Sequence, residues 1–138
     1  MDAYTLDHVR DIASDVRRWA EDQAYDKSLD EVHDLNGYCA IAAAELHRRL
    51  VSDGYRCELH MAVLECGSSH CWVVVNDHVV DVTATQFGPF RCEPIVVLHQ
   101  REAEAFWFYR TTEIFYSSKS LRKSQQRTGW PPHQIAYR

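Results

Sequence analysis

HCWVVVNDHVVDVT, residues 70–83, holds two β-branched runs separated by Asn76 and Asp77. A two-residue type I′ hairpin turn needs positive φ at both of its central positions, and Asn and Asp are the non-glycine residues that tolerate it best. The spacing therefore predicts an antiparallel hairpin in which Val75 pairs with His78, Trp72 lies opposite Asp81 and His70 lies opposite Thr83. Side chains alternate along a strand, so His70, Trp72 and Val74 share one face with Val79, Asp81 and Thr83, while Cys71 points the other way. On the shared face His70 and Asp81 become diagonal neighbours. Such pairs sit about 7–8 Å apart at the backbone, close enough for a carboxylate to accept a hydrogen bond from an imidazole nitrogen.

Upstream of the hairpin, Leu6, Val9, Ile12, Ala13, Val16, Trp19 and Ala20 recur at helical steps and predict an amphipathic scaffold helix over about residues 5–23. The polar stretch YDKSLDEVHDLNG reads as a connection. A second helix begins near Cys39, with Ile41, Ala42, Leu46 and Leu50 as its apolar stripe, and SDG at 52–54 stops it. CELHMAVLEC (57–66), HCWVVV (70–75), HVVDVTA (78–84) and PIVVLH (94–99) read as strands, with FWFY and EIFY as extensions of the sheet. SSKSLRKSQQR suggests a closing helix before GWPP. Helices first and antiparallel strands afterwards define an α+β domain. A chain of 138 residues, 46% hydrophobic, supports one domain spanning 1–138.

Within that order Cys39 stands where a turn gives way to a helix. Unsatisfied backbone N–H groups and the positive end of the helix dipole both favour thiolate over thiol there. An imidazole beside it would stabilise the thiolate and act as base, and a carboxylate behind the imidazole would fix its tautomer and orientation. Cys39, His70 and Asp81 supply these three parts.

A helix-start Cys, then a strand His, then an Asp on the next strand resembles the papain-like fold in its transglutaminase-like variants, through NGYCAIAAAEL and HCWVVVNDHVVDVTATQFG. DVTATQFG in particular is similar to small bacterial, phage and effector proteins of this type. The resemblance covers roughly residues 34–90. It implies a nucleophile helix packed on an antiparallel sheet, with Cys39 as nucleophile, His70 as base and acid and Asp81 as orienting group. It further implies a thiol hydrolase or acyltransferase working through a thioester on a protein or peptide. Deamidation of protein glutamine is favoured, with cysteine protease and transglutaminase as alternatives that share the same steps. The Gly-Gln or Gln-Gly pair usual beside the nucleophile is replaced by Asn36 and Gly37. Oxyanion donors are then the Cys39 N–H with Asn36 or Gln86, and Gln86, of opposite parity to Asp81, needs a bend after Thr83 to reach the site. Trp72 is also a candidate for the site; it reads most simply as core that screens the His–Asp contact from water.

Other readings of the same residues are a non-catalytic binding module on this scaffold and a zinc-stabilised domain using Cys57, His60, Cys66, His70 and Cys71. Those spacings do not repeat a paired knuckle, and no metal or cofactor is expected. Five cysteines without a repeated spacing point to a reducing compartment, the cytoplasm or a host cytoplasm into which the protein is delivered. The opening MDAYTLDHVRDIASD is acidic and periodic rather than a signal peptide, so the mature chain is expected to start near Met1. No apolar run approaches the ~18 residues of a membrane span. Net charge is −5, unevenly placed. Residues 117–138 contain Lys119, Arg122, Lys123, Arg127 and Arg138 with no acidic residue, so this segment carries +5 and the remainder −10. Nucleic acid is not an expected partner; an acidic partner for the basic segment is a candidate, beside the simpler reading of a solvated helix.

Overall fold

A computed structural model of the chain describes residues 1–27, 35, 38–65, 67–117 and 119–121. Two helices, α1 (Ala3–Lys27) and α2 (Cys39–Ser52), precede β1 (Cys57–Val63), β2 (Ser69–Val75), β3 (His78–Asp81), β4 (Val96–His99), a one-turn α3 (Gln100–Ala103) and β5 (Glu113–Phe115). The strands make one antiparallel sheet in the order β4-β3-β2-β1-β5, so the fold is a mixed α+β one.

The β2–β3 turn has Asn76 at φ 45° and Asp77 at φ 66°, and Val75 pairs with His78. This is the geometry expected from the two residues' tolerance of positive φ. It also fixes which side chains face which layer. Cys71, Val73, Val75, Val80 and Val82 join Leu59 and Met61 in a core with the helices. That core receives Val9, Ala13, Val16, Ala20 and Ala24 from α1 and Ala40, Ala42, Ala43, Leu46 and Leu50 from α2. Alanines on the sheet side let α2 approach closely. The opposite sheet face carries Ala62, Trp72, Val74, Val79 and Val96, and packs on Ala84, Phe90, Ala103, Phe108 and Tyr109 from the segments after β3. Strand β2 is buried along its whole length, because both of its faces are covered.

Two strand expectations need correction. The run HVVDVTA is extended only as far as Asp81. Thr83 then turns (φ −130°, ψ 20°) into a 3-10 turn at Ala84–Gln86, followed by another at Gly88–Phe90. FWFY does not extend the sheet either: Trp107–Tyr109 is a 3-10 turn packed against the second face. Aromatic residues favour strands, but here burying Phe108 and Tyr109 beneath the sheet decides the local conformation. EIFY does supply β5, paired with β1. Residues 119–121 are helical; the rest of the expected closing helix, with Arg122, Lys123, Arg127 and Arg138, lies outside the described residues. No helix among the described residues is long and apolar enough to cross a membrane.

Candidate active site

Leu35, fully buried at φ 53°, accepts the Tyr38 N–H at 2.9 Å through its carbonyl and so turns the chain into α2. Tyr38 is the N-cap and makes no side-chain capping bond, and Cys39 is the first helical residue. Its N–H therefore has no intrahelical acceptor and stands in the positive field of the helix start. The side chain is 1% exposed, with Sγ 3.4 Å from the Ser69 carbonyl oxygen at the start of β2.

His70 follows Ser69 on β2 and is fully buried. Its Nε2 lies 2.6 Å from Asp81 Oδ2. Continuing the register of β2 and β3 by one residue past Val73–Val80 sets Trp72 opposite Asp81, which makes His70 and Asp81 the diagonal pair that strand parity anticipates. Asp81 is saturated with donors: Tyr109 Oη donates to Oδ2 at 2.6 Å, while the Thr83 N–H at 2.9 Å and the Thr83 hydroxyl at 3.3 Å donate to Oδ1. Thr83 thus binds the carboxylate rather than His70. Aromatic rings enclose the imidazole, with Phe87 edge-on at 4.7 Å, Trp72 at 5.6 Å and Tyr109 at 5.8 Å between ring centroids.

Since Nε2 is taken by Asp81, Nδ1 is the nitrogen available to other partners. Gln86 Nε2 lies 3.3 Å from it and donates to the Thr83 carbonyl at 3.0 Å. The bend required for Gln86 to reach the site is the 3-10 turn Ala84–Gln86. Asn36 lies outside the described residues. Trp72, 1% exposed, stands between the His70, His60 and Tyr109 rings as part of the second core.

Electrostatics tie these groups together. A hydrogen bond from the Cys71 thiol, aided by the His70 imidazolium, overcomes burial and lowers the Cys39 thiol from its ordinary 9.0 to about 5. Burial opposes charge on His70, but the Asp81 carboxylate, and Cys39 behind it, raise the imidazole from 6.5 to about 9. Burial likewise opposes ionisation of Asp81; the His70 charge and the donors from Tyr109 and Thr83 prevail and lower it. Cys71 is raised well above an ordinary thiol, first because its proton is shared with Cys39 and then by burial. One contact pulls the other way: the Ser69 carbonyl can accept only from a protonated Cys39. Two donors against one acceptor favour the thiolate.

Two neighbours have no clear signature in the sequence. Tyr109 sits in the stretch that strand propensity assigns to the sheet, and only the turn reveals its hydroxyl on Asp81. Cys71 does point away from His70, as parity requires, yet α2 lies on that face and brings the Cys39 sulfur to it. A signal was present in the helix-then-sheet order, which places α2 over one face without saying which. As for the thiols considered for zinc, no group of three His, Cys, Asp or Glu residues is gathered for a metal among the described residues. Cys57 lies against His47, His60 bonds Glu58 and Thr111, and Cys66 lies outside the described residues.

The fold and site define an α+β domain with a buried imidazole–carboxylate pair and a helix-start cysteine whose sulfur lies 3.4 Å from the carbonyl oxygen of the residue preceding that imidazole. No protein-family model matches the chain, and neither a curated protein nor a solved structure matches it.

Proposed function

We propose that the protein is a cysteine-dependent amide hydrolase or acyltransferase of the papain-like, transglutaminase-like kind, with Cys39, His70 and Asp81 as its catalytic triad. The observation that carries this reading is the buried His70 Nε2–Asp81 Oδ2 contact of 2.6 Å, whose imidazole stabilises the thiolate of a cysteine at a helix start. Cys39 thiolate attacks the carbonyl carbon of a carboxamide on a protein or peptide. The developing oxyanion is received by the Cys39 N–H and the Gln86 side-chain amide, and His70 delivers its proton to the departing ammonia or amine. Water, deprotonated by the now neutral His70, cleaves the thioester. An amine acceptor at the same step would give transfer instead. Cys39 and His70 are enclosed, so local opening precedes attack.

Within this class we favour deamidation of protein glutamine, on the resemblance of DVTATQFG and the small size of the chain. Cleavage, deamidation and amine transfer leave different masses on the substrate, so intact mass spectrometry of candidate proteins incubated with the enzyme distinguishes them. An amide-mimicking electrophilic probe tests the triad without a known substrate. The expected result is one adduct, on Cys39, which is lost in Cys39→Ser and nearly lost in His70→Ala while thermal stability of Cys39→Ser stays near that of the parent. Full turnover of a verified substrate by Cys39→Ser would overturn the mechanism.

A further inference from the structure

Of the four described cysteines, all free, Cys57 lies beside His47 and Cys92 is exposed, whereas Cys39 and Cys71 are both buried where the start of α2 meets β2. Geometry explains why. Ser69 and Cys71 are two residues apart on β2 and project to the same side, the side that α2 covers. Cys39 Sγ, at the start of α2, is 3.4 Å from the Ser69 carbonyl oxygen, and Cys71, two residues further along β2, turns its side chain into the core it shares with Ala40, Ala42 and Ala43 of the same helix. The proposed acyl chemistry uses only one of these sulfurs. We propose that Cys39 and Cys71 form a peroxide-sensitive pair, in which Cys71 resolves a sulfenic acid on Cys39 into an intramolecular disulfide that reversibly removes the Cys39 sulfur from acyl chemistry.

Cys39 thiolate attacks one oxygen of a peroxide; the O–O bond breaks, an S–O bond forms and hydroxide leaves. Cys71, whose thiol proton goes to the hydroxide released in the first step, then attacks the Cys39 sulfur, the S–O bond breaks and the second departing hydroxide takes a proton from the His70 imidazolium. Two thiols are oxidised by two electrons, and hydrogen peroxide is reduced to two waters. The pair is arranged to run in this order. While Cys39 is anionic, it holds the Cys71 proton in place. Converting Cys39 to a neutral sulfenic acid removes that charge and frees Cys71 to ionise. Both side chains are 1% exposed, which admits a water-sized oxidant far better than a bulky disulfide such as oxidised glutathione.

This inference shares the Cys39 sulfur with the proposed function, but its readout needs no substrate and no turnover. The reduced full-length chain is titrated with hydrogen peroxide, and intact mass and peptide maps are taken without reductant. Expected is the loss of two hydrogens, a linked pair of peptides containing Cys39 and Cys71, and full reversal by dithiothreitol. In Cys71→Ser and Cys71→Ala the linked pair is absent, and Cys39 is instead trapped by dimedone or carried on to the sulfinic acid. Oxidation of the parent chain to a Cys39 sulfinic acid without cross-linking, or a disulfide that excludes Cys71, would overturn the proposal. Because the parent map alone decides it, a variant that fails to fold does not. Probe labelling of Cys39 without the cross-link would remove this inference and leave the proposed function standing; the cross-link without labelling would do the reverse.

Discussion

Asp81 accepts four donated contacts through two oxygens, and the division between them sets what each neighbour can do. Thr83 holds Oδ1 from its own backbone and side chain, which fixes the carboxylate plane, while His70 and Tyr109 share Oδ2. Tyr109→Phe removes one charge-assisted bond in a buried place, and should cost about 1.5–3 kcal/mol in denaturant unfolding. A change within a few tenths of that from an unrelated surface variant would mean the hydroxyl is replaceable by water. Asp81→Asn has a different effect, since it removes the charge that raises His70. The imidazole should then lose its proton well below about 9, and its titration, followed by NMR, should move to lower pH. Labelling of Cys39 by a small electrophile should rise through about pH 5 as the thiolate forms, and turnover should fall again through about pH 9 as the imidazolium is lost. In Asp81→Asn the alkaline limb moves to lower pH and the activity left exceeds that of His70→Ala, because the imidazole is still present though poorly oriented. An unmoved alkaline limb would detach that limb from His70.

At the level of elements, the hairpin and the turn after it differ in how they were readable. Asn76 and Asp77 determine strand parity through their own backbone preference, so the shared face of His70 and Asp81 is legible locally. The 3-10 turn at Ala84–Gln86 has no such local cause, since DVTATQ is compatible with continued strand. Its conformation comes from far away in the chain. Arg17 of α1, 3% exposed, donates to the Val82 carbonyl at 2.9 Å and to Thr85 Oγ1 at 3.0 Å, and meets Glu21 at 3.1 Å on its outer side. A helix that reads from its periodicity as scaffold thus holds the turn that carries Gln86. Arg17→Met keeps much of the aliphatic stem and removes the fork of donors. It should destabilise the domain by about 1–3 kcal/mol and raise amide hydrogen exchange around residues 82–87 more than in β1. Uniform acceleration across the sheet would assign Arg17 a global role instead. Arg17→Lys should not restore the turn fully, because a single ammonium replaces two nitrogens that donate in different directions, Nη1 to Val82 and Thr85 and Nε to Glu21.

Across the whole molecule, one sheet separates an aliphatic core shared with two helices from an aromatic core built by the 84–109 segment, and the site lies where β2 meets the start of α2. Period-two and period-3.6 patterns predict α1, α2, the four principal strands and the residues of the His70–Asp81 pair. Which face receives α2 depends on packing between distant elements, and that is why Cys71 and Tyr109 escape a reading of spacing alone. The buried ion pair also couples the site to global stability. Between pH 5 and 6.5 the folded chain leaves Cys39 deprotonated, whereas an unfolded thiol near 9.0 keeps its proton, so the unfolded state binds more protons and stability rises with pH. From 6.5 to about 9 the folded chain also keeps a His70 proton that the unfolded chain loses, which lowers stability with pH and cancels the thiol contribution. The pair therefore contributes a rise from pH 5 to 6.5 and a plateau to about 9. Cys39→Ala removes the rising part and leaves the His70 part, which Asp81 still supports, so the variant should lose stability above pH 6.5 where the parent does not. Denaturant midpoints of both chains at pH 5, 6.5 and 8.5 measure this directly. The parent-minus-variant difference should grow at every step, by up to about 1.4 kcal/mol per pH unit where one full proton separates the two states. A difference that stays level would mean that Cys39 is a thiol in the folded chain, and the nucleophile reading would lose its electrostatic basis.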